Sequence, residues 1–363
     1  MQTYSVPMVP GPVFVPKEVF EAYSQPFGSA DIEPEYLDLY RSVAADLQQL
    51  LGTQNQVVIK SGEGMIALWS ALKSCLKPGD RVLSLGTGVF GYGVGDMARS
   101  LGMQVRTIGF GFDETLHRWD MIEEIVAAFR PKMITAVHCE TPSGTLNPLQ
   151  KLGEIKQRLN IPLLYVDAVA SVGGAPVMAD DCQIDLCLGG SQKALSIPPS
   201  LAFLSVSPRA WEIAEEVGYV GYDALLPFRH AVETGYFPYT PDWNGLAALK
   251  VGARLLLQDG LEATFARHAA VAEHTRQRLK EMDVEIFPKP EAISSPTVTA
   301  ARVPARFSWP EFDARLRSMG LAVGGSYGPL AGKVFRLGHM GSQAEMTLVD
   351  RALDIIAENI RKP

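Results

Sequence analysis

Two residues stand where this chain could do covalent and proton-transfer chemistry. Asp167 closes the run Ile161-Pro162-Leu163-Leu164-Tyr165-Val166, and Lys193 follows a short apolar strand and Gly189-Gly190-Ser191-Gln192. A carboxylate just past a strand can hold a cationic ring nitrogen, a sugar hydroxyl or a metal, or it can cap the segment that follows. A lysine is costly to bury and, taken alone, reads as a surface residue, although small neighbours leave room around its amine. Together the two say more. A carboxylate at one strand end and a lysine at another, 26 residues on, are what a pyridoxal site requires. The lysine forms the Schiff base and later moves the proton. The carboxylate keeps the pyridine nitrogen protonated, so that the ring can accept electrons.

Ligands of α/β sheets bind beyond the carboxyl ends of the strands, which gives weight to polar segments that follow apolar runs. Three more fit: Ser61-Gly62-Glu63-Gly64, Gly86-Thr87-Gly88-Val89-Phe90-Gly91, and Glu140-Thr141-Pro142-Ser143-Gly144-Thr145. Arg336, in Val334-Phe335-Arg336-Leu337-Gly338-His339-Met340-Gly341, can grip a carboxylate through two parallel hydrogen bonds or sit in a structural ion pair. The stretch Gly86–Gly91 matches the dinucleotide-binding fingerprint. Against that reading, a strand–helix unit precedes it, and the next strand, Gln104–Gly109, ends in no acidic residue and carries Arg106. No Walker loop, HExxH or GxSxG occurs.

The elements that must position these groups are read from periodicity. Residues 1–30 are rich in Pro, Gly and aromatics and read as an irregular N-terminal arm. Apolar residues at helical spacing, with Pro34 at the start and Gly52 at the stop, predict a helix over Pro34–Leu51. Strands are expected at Gln56–Lys60, Arg81–Leu85, Gln104–Gly109, Met133–His138, Ile161–Asp167, Asp185–Leu188 and Leu201–Val206, and helices at Met65–Lys77, Met121–Phe129 and Leu149–Leu159. That alternation predicts an α/β domain with a mainly parallel sheet. Helices near Asn244–Gln258, Leu261–Met282, Trp309–Met319 and Gln343–Ile360, with strands near Val298–Val303 and Val334–Leu337, predict a smaller C-terminal α+β domain. The division expected is an arm to residue 30, a large domain over 31–250 and a small domain over 251–363.

Composition narrows the function classes. With 363 residues and a net charge of -7, and no clustering of basic residues, a nucleic-acid partner is not expected. No run of about 18 apolar residues suggests a membrane span, and the N-terminus does not read as a signal peptide, so a cytoplasmic enzyme is expected. Cys75, Cys139, Cys182 and Cys187 fit neither a disulfide scaffold nor a zinc pattern and read as reduced, buried thiols. No metal site is expected.

The segments Tyr165–Gly174, Gly189–Pro199 and Phe335–Gly341 resemble the class V aminotransferases of fold type I, and the likeness runs from Pro10-Gly11-Pro12 to the last helix. The resemblance implies a homodimer with its sites at the subunit interface, acting on a small-molecule amino donor and a 2-oxo acid such as pyruvate or glyoxylate. It implies that Lys193 is the Schiff-base lysine and Asp167 the partner of the pyridine nitrogen. It places Val169 under the ring, Phe90 where the family usually stacks Trp or Tyr, and Gln192 on the phosphate side. Gly64, Met65, Thr141 and Ser143 fall in the family's cofactor-binding segments. Thr240 resembles the threonine that the partner subunit lends to the phosphate cup, and Arg336 the arginine that clamps the substrate carboxylate.

One departure carries weight. Alanine–glyoxylate enzymes usually read Ser-Gly-Ser-Gly-His where this chain reads Ser61-Gly62-Glu63-Gly64-Met65, so both side-chain phosphate ligands are replaced and a carboxylate enters. Phe237 also replaces the family's usual Tyr. The pyridoxamine–pyruvate branch has a Glu at this position and shares the Thr141–Pro148 and Gly338–Gly341 segments. It uses unphosphorylated pyridoxamine as a substrate, although Tyr327 stands here in place of that branch's second arginine. Two cofactor readings follow: pyridoxal 5′-phosphate as a resident group, or unphosphorylated pyridoxal and pyridoxamine as substrates. Glu63 can alternatively serve as an acid complementing a helix N-terminus. Other classes are a cysteine desulfurase, for which no cysteine follows Cys187, a non-catalytic B6-binding protein, and an NAD-dependent oxidoreductase.

Overall fold

Strands built almost wholly of apolar or small residues are stable only when covered on both faces. That describes β5 (Met133–Val137), β8 (Leu163–Asp167), β9 (Leu186–Gly190) and β10 (Leu201–Val206), which are buried throughout. In the computed structural model, which describes residues 3–361, they join β2 (Gln56–Ser61), β3 (Arg81–Gly86) and β4 (Gln104–Gly109) in one sheet of order β2-β10-β9-β8-β5-β3-β4. The pairs from β9 to β4 are parallel. Because β10 runs antiparallel to both β9 and β2, β2 points the same way as β9. The segments after Ser61, Gly86, Val137, Asp167 and Gly190 therefore leave the sheet at one edge.

Helices cover this sheet. α1 spans Lys17–Tyr23 and α2 Pro34–Leu51, the latter stopped by Gly52 in the left-handed conformation, φ 65°. α3 (Met65–Cys75) and α4 (Val89–Ser100) each start directly after a loop at the ligand edge. The two-residue strands β6 (Cys139–Glu140) and β7 (Thr145–Leu146) pair across the turn Thr141–Gly144 and hold it at the same edge.

The later chain builds a three-stranded antiparallel sheet from β11 (Val298–Arg302), β14 (Val334–Gly338) and β13 (Gly324–Gly325). Helices Leu261–Glu281, Trp309–Ser318 and Met346–Arg361 pack on it. The apolar interior follows this division. One cluster runs from Val19 to Leu256, and another joins Val271 through Ile356 to Val6 and Met8. The architecture is α/β with a mostly parallel sheet and a smaller antiparallel one.

The elements differ from expectation most at four places. The first thirty residues are not wholly irregular: β1 (Val6–Pro7) pairs in parallel with β12 (Leu321–Ala322), and α1 forms a helix. α4 was not anticipated, because Gly91, Gly93 and Gly95 lower helix propensity by about 1 kcal/mol each. Two of them are there for packing: a Cβ on Gly95 would lie 2.7 Å from Ser84 Oγ, and one on Gly91 2.8 Å from the Leu85 carbonyl. Helix Pro208–Val217 is also new, although its capping Ser207, Pro208 at the first turn and left-handed Gly218 are a recognisable start and stop. The final helix starts at Met346 rather than Gln343, which belongs to a short 3-10 turn.

Candidate active site

At the ligand edge lies a cavity of about 370 Å³, a size suited to a small organic ligand. Asp167 and Lys193 both line it. The β8 register sets Asp167 opposite Val137 and Leu188, and its Oδ1 accepts a hydrogen bond from the Val169 N–H at 2.9 Å. Burial pushes its carboxyl up to about 6, helped by Glu63, while the Val169 N–H and Lys193 pull the other way. Lys193 Nζ donates to the Pro10 carbonyl at 2.7 Å. Burial first, and then the Arg336 guanidinium, bring its amine down to about 8; Cys139, Asp167 and Glu63 oppose the shift. An amine that is largely neutral at slightly alkaline pH can act as nucleophile and as base.

Glu63, Gly64 and Met65 form one wall. Glu63 Oε2 accepts from the Met65 N–H at 2.9 Å, and Oε1 accepts from Gln192 Nε2. α3 has no other side-chain cap, so the anion that its N-terminus favours is provided by the chain itself. Gln192 is buried, and its Oε1 accepts no hydrogen bond from the described residues. The opposite amide orientation would set that oxygen against the Glu63 carboxylate. The wall therefore presents a carboxylate with one donor on each oxygen and an unused carbonyl oxygen, and both can accept a further hydrogen bond.

Phe90 and Val169 also line the cavity. A Cβ on Gly64 would lie 3.2 Å from Val169 Cγ2 and 3.8 Å from Gly190 Cα. The glycines let helix and strand close tightly below Val169, a floor suited to a flat ring. Phe90 is in the first turn of α4, which has no local side-chain cap. Glu140, fully buried, accepts from the Phe90 N–H at 3.1 Å and the Gly91 N–H at 2.6 Å.

Arg336, on β14, is 3% exposed. Its Nε and Nη2 donate to the Gly325 carbonyl, and Nη1 lies 3.4 Å from the Thr141 carbonyl. Tyr327 lays its ring 4.6 Å from the guanidinium. No carboxylate pairs with Arg336 among the ion pairs of the described residues. A buried guanidinium held by backbone carbonyls and Tyr327, without a carboxylate, is poised for an external anion.

Two expected residues lie outside the cavity of the single chain, one of them the threonine expected to serve the partner's site. Ser143 is buried away from the cavity and bonds the Glu140 carbonyl and Thr145 Oγ1; in the tight turn only Thr141 faces the cavity. Thr240 is exposed and donates to Asp31 Oδ2 at 3.0 Å. Residues missed at this site include Gly11, Pro12, Cys139 and Pro199 in the lining. Gly11 has φ 106°, and a Cβ there would come within 2.5 Å of Lys193 Nζ. The Pro10-Gly11-Pro12 motif was the one visible signal for this contact.

A lysine, a buried carboxylate and the apolar side chains of Phe90 and Val169, all lining one cavity, fit a pyridoxal ring. Comparison with known proteins agrees. The aminotransferase class-V family model matches residues 20–328. An uncharacterised aminotransferase of Methanocaldococcus jannaschii is 34% identical, covering 92% of this chain and 87% of that protein. The alanine–glyoxylate aminotransferase of Oryctolagus cuniculus is 31% identical over 97% of this chain and 91% of its own. The crystal structure of pyridoxamine–pyruvate aminotransferase from Mesorhizobium loti superposes with a TM-score of 0.94 at 28% identity, covering 100% of this chain and 94% of that one. The chain belongs to the class V aminotransferases. It is a transaminase that depends on vitamin B6.

Proposed function

We propose that this transaminase moves the amino group of unphosphorylated pyridoxamine to a small 2-oxo acid, pyruvate or glyoxylate, releasing pyridoxal and the amino acid. The observation that carries the reading is the wall built by Glu63 and Gln192. A hydroxymethyl group can donate to either of their oxygens. A phosphate dianion can only accept, and it would face a carboxylate at the helix end it needs. The similarity to a pyridoxamine–pyruvate aminotransferase supports the same reading.

When bound, the B6 ring supplies a carbonyl or amine carbon and a sink for electrons. Asp167, ionised beside a cationic ring nitrogen, keeps that nitrogen protonated. Lys193 holds and returns the proton that moves between the two carbons. Phe90 and Val169 fix the ring plane, and Arg336 orients the carboxylate of the 2-oxo acid. Val220, Tyr222 and Tyr236 are exposed, and we place a second copy of the chain against this region, which carries Thr240. The large domain is taken to end within the helix Trp243–Leu257. Four buried, unpaired cysteines suit a reducing compartment.

The test is a pair of absorbance titrations of apoprotein, with pyridoxal and with pyridoxal 5′-phosphate, followed by pyridoxamine and pyruvate. Tighter binding of pyridoxal, and its release on adding pyruvate to pyridoxamine, is expected. Tighter binding of the phosphate ester would refute the reading, return the protein to the alanine–glyoxylate type and leave Glu63 as a helix cap. Pyridoxal bound without amine exchange would indicate a non-catalytic binder.

A further inference from the structure

We propose that Glu140 is a positioning residue for B6 binding, acting through the main chain of Phe90. It serves as a cap supplied from a distant part of the chain. α4 opens at Gly88 with no side-chain acceptor of its own, although the first N–H groups of any helix need partners. The Phe90 and Gly91 N–H groups both find them on Glu140, one on each carboxylate oxygen. The surroundings are shaped to admit this carboxylate: a Cβ on Gly88 would lie 2.6 Å from Glu140 Cδ, and one on Gly91 3.1 Å from Oε1. Glu140 occupies a two-residue strand paired with Thr145–Leu146, so the anchor rests on an element outside the loop it fixes.

The role follows from what hangs on that loop. Phe90 belongs to the cavity, and the direction of its ring is set by the first turn of α4. If the B6 ligand lacks a phosphate, as proposed above, ring contacts supply a larger share of its binding, and misplacing Phe90 costs correspondingly more. Glu140 itself is wholly buried and makes no ion pair among the described residues. Burial drives its carboxyl up to about 7, with Asp167 adding to the rise and the Gly91 and Phe90 N–H groups opposing it. Asp167 is the charged group acting on it. Protonation turns one accepting oxygen into a donor and releases one of the two amides.

The experiment is a double-mutant cycle on full-length apoprotein, using Glu140→Gln and Phe90→Ala singly and together. Dissociation constants and the induced circular dichroism of the visible band are read with pyridoxal and with its 5′-phosphate. Ratios to wild type are taken with whichever aldehyde wild type binds more tightly, so the result does not depend on which ester state is correct. Glu140→Gln keeps one acceptor and is expected to weaken binding about tenfold and to diminish the induced signal. In the Phe90→Ala background the same change is expected to do less than twofold. The wild-type to variant ratio should also shrink from pH 8 to pH 6. Equal losses in both backgrounds, or none, would overturn the proposal. Amide hydrogen exchange on wild type needs no variant. Protection of the Phe90 and Gly91 amides at pH 8 is expected, and rapid exchange there would refute the anchor.

Discussion

Replacing Glu63 with serine should invert the ligand preference of the protein. Two unit charges about 4 Å apart interact with roughly 4 kcal/mol at an effective dielectric near 20. Glu63 is only half-buried, so water and salt remove more than half of that, leaving about 1.5–2 kcal/mol per charge. A phosphate ester carries roughly 1.5–2 charges at neutral pH, which puts the repulsion at about 2–4 kcal/mol. Glu63→Ser should therefore tighten pyridoxal 5′-phosphate binding by roughly 30- to 1,000-fold. Pyridoxal should lose less than about tenfold, the worth of one hydrogen bond. Gln192, which now donates to Glu63, would be freed to meet the phosphate and adds in the same direction. The assay is the absorbance titration already described, run on wild type and variant at two ionic strengths, because a screened repulsion must shrink with salt. An unchanged dissociation constant for the phosphate ester would refute the electrostatic argument.

Other outcomes follow from the same geometry. Lys193→Ala should abolish transamination and the visible band of bound pyridoxal, and in wild type the rate of pyridoxal capture should rise with pH through about 8, where the amine loses its proton; near-normal turnover of the variant would sink the assignment. Asp167 titrates near 6 in the fold against an ordinary 3.8, so the folded apoprotein binds this proton more tightly, and the stability it gives is full below about pH 4 and is lost as pH rises through 6. Asp167→Asn should then raise the apoprotein melting temperature at pH 8, by up to ~3 kcal/mol in stability, but not at pH 4, while weakening pyridoxal binding; melts at the two pH values check it. Arg336→Gln should raise KM for the 2-oxo acid by the roughly 1.5–3 kcal/mol of a charged hydrogen bond, with little change in pyridoxal affinity by titration.

The sheet was legible because buried parallel strands write themselves as unbroken apolar runs, and the chemistry sits on polar residues at their carboxyl ends or just beyond. Asp167 and Lys193 are visible for that reason. So is Arg336, a charge in an otherwise apolar strand. α4 was hidden because its glycines serve tight packing on β3, and helix propensity sees only their cost. Glu140 was hidden for a different reason. It was seen as part of a polar turn, yet its partners are main-chain amides some fifty positions away, which no side-chain pattern records. Ser143 illustrates the converse: a motif names its residues without saying which of them faces the ligand.

The N-terminal segment bears on how the protein comes into being. Val6 pairs with Leu321, Met8 accepts from the Gly338 N–H, and Pro10 receives the amine of Lys193. Residues 6–10 thus wait for residues 321–338 before the cavity has all its walls. Contacts so distant in sequence form late, and the sheet and its helices can assemble first. A chain lacking residues 321–338 would hold Asp167 and Lys193 on a folded sheet but would lack Arg336 and the strand partners that hold Pro10 near the lysine. Competence to capture the vitamin thereby depends on residues 321–338 having been made.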